Sequence, residues 1–439
     1  MKKIIILILF NFSFALCQLP NPALIGYWHN WDDVNAPYIP ITLIDSRYNV
    51  INVAFAVPKP PEDFEMEFNP VEVDSSVLIN QINFIQGQGK KVIISIGGGN
   101  SPIILNDEME MNTFVSTMNQ IINTYNFDGI DIDLEGNSLF INGGTISEPT
   151  DKPVQYMIEA IKKIMSDYYF KNGKRLLLTM APQTANVQGG MESFAGVWGA
   201  YLPVIDALRD SIEVLHVQLY NSGSMRGIDG NIYNQGTADF IGAMTEQIIR
   251  GFDTPGGYFR GLAEDKIAVG LPACASAASG GYTDTATVKL ALDYLMGKGP
   301  KPGYYTLINS AGYPKLRGMM TWSINWDVVN TCHSTYEYAE NYERIFNTET
   351  GIIDEYSEET NSVNPNPFSD YISITIQGDG KAETIIIYDL PGRVILKQQT
   401  EFLETGKTSN FHIPTETLIS GVYFVNVQGT TEMRMVVKN

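Results

Sequence analysis

The chain has 439 residues, which is too long for one ordinary domain and fits one large domain of barrel size plus a small one. Apolar residues make up 44% of it, enough for a substantial core, so the composition excludes wholesale disorder. Its 29 basic and 49 acidic residues give a formal charge of −20, which repels nucleic acid and anionic membranes and makes a neutral ligand the natural candidate.

The N-terminus has the pattern of a secretory signal peptide. Two lysines precede an apolar run, residues 4–16, that is too short to span a bilayer. Ala15 and Cys17 are small residues placed as a cleavage site requires, so the sequence predicts a signal peptide over residues 1–17 and a secreted protein. A lipoprotein with Cys17 as the lipidated residue is the alternative. No later segment is apolar for long enough to predict a membrane span.

Two cysteines, Cys274 and Cys332, remain after this cleavage. In an exported protein they could pair, and two separate buried thiols fit the sequence equally well. The chain has no CxxC pair and only four histidines, which are widely scattered, so a structural zinc site has no support. We predict neither a metal site nor a cofactor.

Residues 23 to about 345 alternate short apolar strands with amphipathic helices. This alternation predicts an α/β fold, a (β/α)8 TIM barrel, with a doubly wound open sheet as the structural alternative. The eight predicted strands are Ala23–Trp28, Val50–Ala56, Lys91–Ile96, Gly129–Glu135, Arg175–Ala181, Val214–Tyr220, Lys266–Leu271 and Arg317–Trp322.

The pattern breaks after residue 350. An acidic run, Asp354–Glu359, and a proline-bearing segment, Asn364–Pro367, indicate a linker. Beyond them, alternating and β-branched segments predict a small all-β, sandwich-like domain. The predicted division is a signal peptide over 1–17, a barrel domain over 18–350, a linker over 351–364 and a C-terminal domain over 365–439.

The most informative segment is the acidic strand Asp128–Glu135. Strand side chains alternate between faces, so Asp131, Asp133 and Glu135 share one face. In a parallel barrel that face points inward near the carboxyl end of the strand, where active sites lie. Mutual repulsion should raise at least one pKa and supply a proton donor at neutral pH. A bound Mg²⁺ or Ca²⁺, or a solvated acidic edge, would be an alternative use of this strand.

Five motifs, in order, resemble glycoside hydrolase family 18, the chitinases and related endo-β-N-acetylglucosaminidases. Asp128–Glu135 matches the family's long DGxDxDxE signature. The resemblance covers residues 23 to about 345 and implies a TIM-barrel glycosidase. The other four motifs are Ser95–Gly99, Met180–Gln183, Gln218–Asn221 and Gly318–Trp322.

The resemblance implies roles for four catalytic residues. Glu135 is expected to protonate the glycosidic oxygen and later to activate water. Asp133 is expected to orient the N-acetyl group of the substrate, whose oxygen, rather than an enzyme carboxylate, attacks the sugar to form an oxazolinium ion. Asp131 is expected to share a proton with Asp133. The hydroxyl of Tyr220 is expected to hydrogen-bond the acetamide.

A second set is expected to bind the substrate. Met180 would fill the floor of the acetamide pocket, and Trp322 would stack under the sugar at the cleavage point. The tryptophans that follow the first and eighth strands would form an aromatic track for further sugars, although ordinary core packing is their alternative. The full set is Gln218, Asn221, Met180, Trp322, Trp28 and Trp326, with Trp31 as a further member of the track.

Two further features bear on the groove. The glycines Gly97–Gly99 are expected to allow tight packing beside the acidic strand, because lone glycines are weak evidence for phosphate binding. The stretch between the last two strands, residues 272–316, lacks the α+β insertion that many family members carry. Its shortness predicts an open groove and internal (endo) cleavage.

The C-terminal domain resembles the type A C-terminal sorting domain of the type IX secretion system. The resemblance rests on Pro365–Phe368, Ile385–Arg393, Leu418–Val427 and Met433–Lys438. It implies export across an outer membrane, with the type IX secretion machinery as a partner, and an extracellular or cell-surface location. A carbohydrate-binding sandwich is the alternative, and the absence of any tryptophan after Trp326 disfavours it.

The sequence as a whole predicts a secreted, monomeric chitinase. It would hydrolyse β-1,4 bonds in chitin or chito-oligosaccharides with retention of configuration and without a cofactor. One alternative is an endo-β-N-acetylglucosaminidase that acts on N-glycan cores. Another is an inactive chitin-binding lectin, whose usual mark is loss of the acid, whereas Glu135 is present here.

Overall fold

The computed structural model describes residues 19–329, 334–346, 362–364, 368–377, 380–389, 393–428 and 433–438. The predicted signal peptide, most of the predicted linker and Cys332 lie outside these ranges. Cys274 is disulfide-bonded, which rules out a free thiol at that position. No helix in the described ranges is long and apolar enough to cross a membrane.

Eight parallel strands form the predicted barrel. In chain order they are Ala23–His29, Val50–Pro58, Lys91–Gly97, Gly129–Asp133, Leu177–Met180, Val214–Leu215, Ala268–Pro272 and Gly318–Trp322. The first six pair in sequence, the seventh pairs with the eighth, and the eighth pairs with the first. Single bridges, Leu215 to Ile267 and Gln218 to Gly270, link the sixth strand to the seventh. The barrel is therefore nearly closed, and the alternative of an open sheet is wrong.

The sixth strand is shorter than the sequence predicts. Only Val214–Leu215 is regular, although the prediction extends to Tyr220. The backbone beyond still bonds to both neighbours, since Gln218 N–H donates to Pro182 O and Leu219 N–H donates to Gly270 O, each at 2.9 Å. This shared pairing keeps Gln218 at the carboxyl end of the barrel without a continuous ladder.

Eight α-helices lie in the described part of the chain. They are Ser75–Gly87, Glu108–Tyr125, Lys152–Asn172, Leu202–Leu208, Ala238–Arg250, Thr285–Leu295, Ile324–Val328 and Glu337–Phe346. Their ends follow local chemistry. Asp107 caps the start of the second helix, because its side chain accepts from Glu110 N–H, and Asn126 caps its end in the left-handed conformation with φ of 57°.

Strand alternation separates two hydrophobic cores. The outer core lies between barrel and helices and includes Trp28, Leu178 and Met180. The inner core fills the barrel and includes Ile25 and Tyr27. Neighbouring residues of one strand thus enter different cores, and only the inner set has access to the carboxyl-end opening.

Little structure is added around the barrel. Met66–Glu67 pairs with the second strand, and two short hairpins are formed by Ser224–Arg226 with Ile232–Asn234 and by Phe252–Thr254 with Gly257–Phe259. The fully described stretch between the seventh and eighth strands holds the helix Thr285–Leu295 and one 3-10 turn, with no strand. The predicted lack of an α+β insertion there is confirmed.

The C-terminal domain consists of two antiparallel sheets. One contains Ser362–Asn364, Tyr371–Gln377 and Thr408–Pro414, and the other contains Val394–Phe402, Ala382–Asp389, Gly421–Gln428 and Met433–Lys438. Isoleucines of both sheets, such as Ile374 and Ile385, share one core, which gives the predicted sandwich-like arrangement. Residues 362–364 pair with Ser373–Thr375 while Val363 packs on that core, so their assignment to the linker is wrong.

Candidate active site

The fourth barrel strand places its carboxylates as strand alternation predicts. Asp131 and Asp133 are buried, whereas Ile130 and Ile132 pack in the outer core. Glu135 follows the last regular residue of the strand and is only half-buried. The three acids therefore lead from the barrel interior to its carboxyl-end opening.

Asp131 is held by groups from four other strands. Its Oδ2 accepts hydrogen bonds from Tyr27 Oη at 2.6 Å and Ser95 Oγ at 2.7 Å, and its Oδ1 accepts one from Thr179 Oγ1 at 2.6 Å. His216 Nε2 lies 3.4 Å from Oδ1. Burial alone raises the pKa of Asp131, but His216, Thr179 and Tyr27 together hold it below its usual value. Asp131 is thus a buried carboxylate whose lowered pKa favours the ionised form and whose two oxygens both accept hydrogen bonds.

Asp133 and Glu135 share one amide. Gln218 Nε2 donates to Asp133 Oδ1 at 2.8 Å, to Glu135 Oε1 at 3.1 Å and to the carbonyl oxygen of Ala181 at 3.0 Å. Burial, followed by the charges of Glu135 and Asp131, raises the pKa of Asp133 well above its usual value. Burial also raises the pKa of Glu135. Gln218 thus joins Asp133 to Glu135, and the expected sharing of a proton between Asp131 and Asp133 stays a prediction.

A second amide and a glycine loop complete the surroundings of Glu135. Gln183 Nε2 donates to Glu135 Oε2 at 3.1 Å. A Cβ atom on Gly97 would lie 2.5 Å from Asp133 O, and one on Gly99 would lie 3.4 Å from Glu135 Oε2. Gly97 also has a φ of 98°. At Gly97, the last residue of the third strand, the backbone therefore packs against the acidic strand only because it lacks a side chain.

The two upper acids line a cavity of about 120 Å³. Its walls include predicted residues from the sixth and eighth strands: Gln218, Tyr220, Asn221 and Trp322. Phe55 stacks against Trp322, with ring centroids 5.9 Å apart and planes inclined by 15°. An apolar wall thus faces the carboxylates across the cavity, which suits a ring-shaped ligand with apolar faces and polar edges.

An aromatic row continues from this wall. His29 lies 4.8 Å from Trp322 between ring centroids, and Trp31 stacks on His29 at 4.6 Å with planes inclined by 5°. A second cavity, of about 260 Å³, is lined by Trp31, Phe55 and Asn30 among others. Since Phe55 lines both cavities, the catalytic cavity and the aromatic row belong to one cleft.

A family model described as glycosyl hydrolases family 18 matches residues 23–373. The chain belongs to glycosyl hydrolase family 18. A second model, described as a secretion system C-terminal sorting domain, matches residues 362–438. Both resemblances seen in the sequence are confirmed, and the sorting-domain match confirms the predicted extracellular location.

The similar proteins carry chitinase names. Chitinase Chi52 of Paenibacillus xylanexedens is 45% identical over 309 residues, which are 69% of this chain and 58% of the relative. Chitinase D of Niallia circulans is 45% identical over 318 residues, 70% of this chain and 60% of the relative. This family 18 chain thus spans about 60% of the length of these relatives. The crystal structure of a family 18 chitinase from Chromobacterium violaceum matches with a TM-score of 0.65 and 33% identity, covering 75% of this chain and 85% of that one.

Three expected substrate-binding residues lie elsewhere. Met180 and Trp28 are fully buried in the outer core, and Trp28 Nε1 donates to Ile39 O at 2.8 Å. Met180 therefore does not line the catalytic cavity, and Trp28 follows the alternative of core packing and not that of an aromatic track. Strand parity is the reason, because Thr179 and Tyr27 point inward from the same strands. Trp326 is half-buried on a short helix and does not line the catalytic cavity.

Four residues of this family 18 site were not among the predicted site residues: Tyr27, Phe55, Gln183 and His216. Tyr27 and Gln183 could have been found. Tyr27 precedes Trp28 on the first strand, so strand alternation points its side chain into the barrel. Gln183 is the last residue of the fifth-strand motif Met180–Gln183. Phe55 and His216 carry no local signal, since their roles arise from contacts with residues distant in sequence. In the described residues, no group of three His, Cys, Asp or Glu side chains could hold a metal ion.

Proposed function

We propose that this family 18 protein is an exported chitinase that cleaves β-1,4 bonds between N-acetylglucosamine units with retention, using Glu135 as acid and base. The observation that carries the proposal is the pair Asp133 and Glu135, both with raised pKa, joined by the Gln218 amide at the wall of a cavity with an aromatic face. The chitinase names of relatives at 45% identity support the substrate class.

The three acids support different protonation states. Asp131 is ionised because its hydrogen-bond donors hold its pKa low. Its buried charge, added to burial and to the charge of Glu135, favours a proton on Asp133. The raised pKa of Glu135 keeps a proton available to a departing oxygen. Along the strand, Asp131 is therefore ionised, Asp133 is protonated and Glu135 can donate a proton.

These states favour attack by the substrate itself. Asp133 and Glu135 are the two carboxyl groups that line the cavity, and a protonated Asp133 is a poor nucleophile. In the proposed first step Glu135 gives its proton to the glycosidic oxygen while the C1–O bond breaks. The acetamide oxygen of the same sugar forms the new bond to C1, which yields an oxazolinium ion.

The second step returns the enzyme to its first state. Glu135, now ionised, removes a proton from water as the water oxygen attacks C1 and the oxazolinium ring opens. Two displacements at C1 give net retention. We assign Asp133 and Tyr220 to the acetamide, Gln218 and Asn221 to the pocket wall, and Trp322 to the apolar face of the sugar.

The surroundings of the barrel support cleavage within chains. In the aromatic row, Trp322 and Trp31 are half-buried and offer stacking surfaces along the cleft, whereas His29 between them is buried. The stretch before the eighth strand adds no strand that would wall the groove. We therefore propose an open, endo-acting groove on a monomeric enzyme, delivered to the exterior by type IX secretion through the C-terminal domain.

The test offers crystalline chitin, chito-oligosaccharides and a high-mannose glycoprotein in parallel. We expect soluble N-acetylglucosamine oligomers from the first two, initial products in the β-configuration by NMR, and inhibition by a thiazoline analogue of the oxazolinium ion. Release of intact glycans from the glycoprotein, with no cleavage of chitin, would identify an N-glycan endoglycosidase instead. Binding without turnover would identify a lectin, and a trapped glycosyl ester on the protein would overturn the mechanism.

A further inference from the structure

The four-stranded sheet of the C-terminal domain has an outer face that is covered at its centre. In the strand Ala382–Asp389, Ile385 and Ile387 point into the sandwich core, so Ile386 between them points away from it. Ile386 is nonetheless only 7% exposed. An apolar side chain on the outer face of a surface sheet would be open to water, so another part of the chain covers it.

Phe424 repeats this pattern on the adjacent strand. Its neighbours Tyr423 and Val425 belong to the sandwich core, whereas Phe424 lies on the outer face and is 3% exposed. Phe424 is the cross-strand partner of Tyr388, so the two rings lie side by side on that face. Lys397, which lies on the same face of the edge strand, is exposed. The cover therefore lies over the two central strands and ends before the edge.

The first barrel helix contacts this face. The ring of Phe84 meets the ring of Tyr388 edge-on, with centroids 5.1 Å apart and planes inclined by 69°. Phe84 is half-buried in the helix Ser75–Gly87 and also packs against the outer core of the barrel. One side chain thus joins the core of the barrel to the outer face of the four-stranded sheet.

The contact lies at the end of the barrel opposite to the cleft. A helix that connects two parallel strands runs back along them, so its last turn lies near the amino end of the next strand. Phe84 is in the last turn of its helix, shortly before the third strand, Lys91–Gly97. The catalytic cavity lies at the carboxyl ends of the strands. A domain held at Phe84 therefore leaves the cleft open.

We propose that Ile386, Tyr388 and Phe424 form an intramolecular docking surface, which seats the C-terminal domain on the helix Ser75–Gly87 of its own barrel. The barrel helix is the occupant, because Phe84 contacts the surface within one chain. Burial of Ile386 and Phe424 favours the docked arrangement over a domain that is only tethered. The sorting domain is then a fixed part of the full chain, and its removal would uncover Phe84.

Cross-linking across the docking surface tests the proposal in the full chain. Asn80→Cys places a thiol one turn before Phe84 on the exposed side of the helix, and Lys397→Cys places one at the edge of the docking surface. A short bismaleimide should link this pair about tenfold or more faster than the control pair Asn80→Cys with Tyr371→Cys. Tyr371 is 51% exposed on the outer face of the other sheet of the sandwich. Cys274 is disulfide-bonded and does not react.

Substitutions on both sides of the contact separate docking from mere proximity. Tyr388→Ser and Phe84→Ser, added to the first cysteine pair, should each slow cross-linking toward the rate of the control pair. Tyr388→Phe keeps the ring and should cross-link as fast as the unchanged pair. Far-UV circular dichroism checks that each variant is folded, and the serine variants on the two domains check one another.

Three results would overturn the proposal. The first is an equal cross-linking rate for the two cysteine pairs, which is the behaviour of a tethered domain. The second is a rate that neither serine variant changes. The third is a cross-link between two chains in place of one within the chain, which would assign the surface to a second copy of the protein.

Discussion

Replacing Glu135 by Gln should abolish most hydrolysis while leaving the fold and oligosaccharide binding intact. The structure shows how the new amide fits. Gln218 keeps the orientation of its amide, since Nε2 also donates to Asp133 and to Ala181 O, so its nitrogen still faces position 135 and an acceptor fits there. The oxygen of the introduced amide supplies that acceptor. The nitrogen of the introduced amide then faces Gln183, whose own amide can turn to present its oxygen.

The expected loss follows from the chemistry removed. A general acid contributes about 10²- to 10⁴-fold, which equals about 2.7 to 5.5 kcal/mol of transition-state stabilisation. With chito-oligosaccharides we expect at least the upper part of this range, since the same residue also activates water. With 4-nitrophenyl chitobioside the loss should be smaller, because nitrophenolate needs less protonation to leave. The variant also removes a charge that raises the pKa of Asp133, so the pKa of Asp133 should fall.

The assay measures kcat and KM on both substrates and the binding of chitotriose by calorimetry. Glu148→Gln is the matched control, because Glu148 is an exposed carboxylate in the same loop. It should behave as the wild type. Activity of the Glu135 variant within tenfold of wild type on chito-oligosaccharides, with retained folding, would refute the assignment of the acid. Loss of chitotriose binding would refute the reasoning about the two amides.

Three further predictions concern the shared amide, a buried acid and the domain division. Gln218→Met removes a hydrogen bond of about 1.5–3 kcal/mol to charged groups, so kcat should fall by about 10- to 100-fold. Because that bond lowers the pKa of Glu135, its loss should move the alkaline limb of the kcat/KM profile to higher pH. An unchanged pH profile would contradict this. Burial raises the pKa of Asp327 from 3.8 to about 6, so its contribution to stability is largest below about pH 4 and is lost as the pH rises to 6. Urea unfolding should show that the free energy of unfolding changes between pH 4 and pH 7, and that Asp327→Asn removes up to about 3 kcal/mol of this change. An identical change in the wild type and the variant would disprove the prediction. A chain ending at Thr350 should keep its kcat/KM on soluble chito-oligosaccharides but stay inside the native host; an unfolded or inactive barrel would show that the C-terminal domain is part of the enzyme.

Strand alternation accounts for most of what could be predicted from the sequence. It places Asp131 and Asp133 inside the barrel and Tyr220 in the cavity, as observed. The expectations for Met180, which rests on a motif, and for Trp28, which rests on its place near the end of the first strand, conflict with this alternation. The same alternation turns Thr179 and Tyr27 inward, where both donate hydrogen bonds to Asp131.

The remaining features depend on contacts that no local pattern encodes. Tyr27 and Asp131 are 104 residues apart, and Gln218 and Asp133 are 85 apart, yet each pair shares a hydrogen bond. The donors that fill both Asp131 oxygens come from other strands, and only the closed barrel brings them together.

The unequal pairing around the barrel has a consequence for its motions. Between the sixth and seventh strands two single bridges replace a continuous ladder, and one of them passes through Gln218. Few hydrogen bonds hold these two strands together, so local opening of the barrel should occur between them before it occurs elsewhere. Under the proposed function, a sugar bound by Gln218 and Tyr220 on one side of this gap and by Trp322 on the other side would hold the two sides together. Bound substrate should therefore stabilise the fold, so that the protein resists unfolding and proteolysis more strongly with substrate than without it.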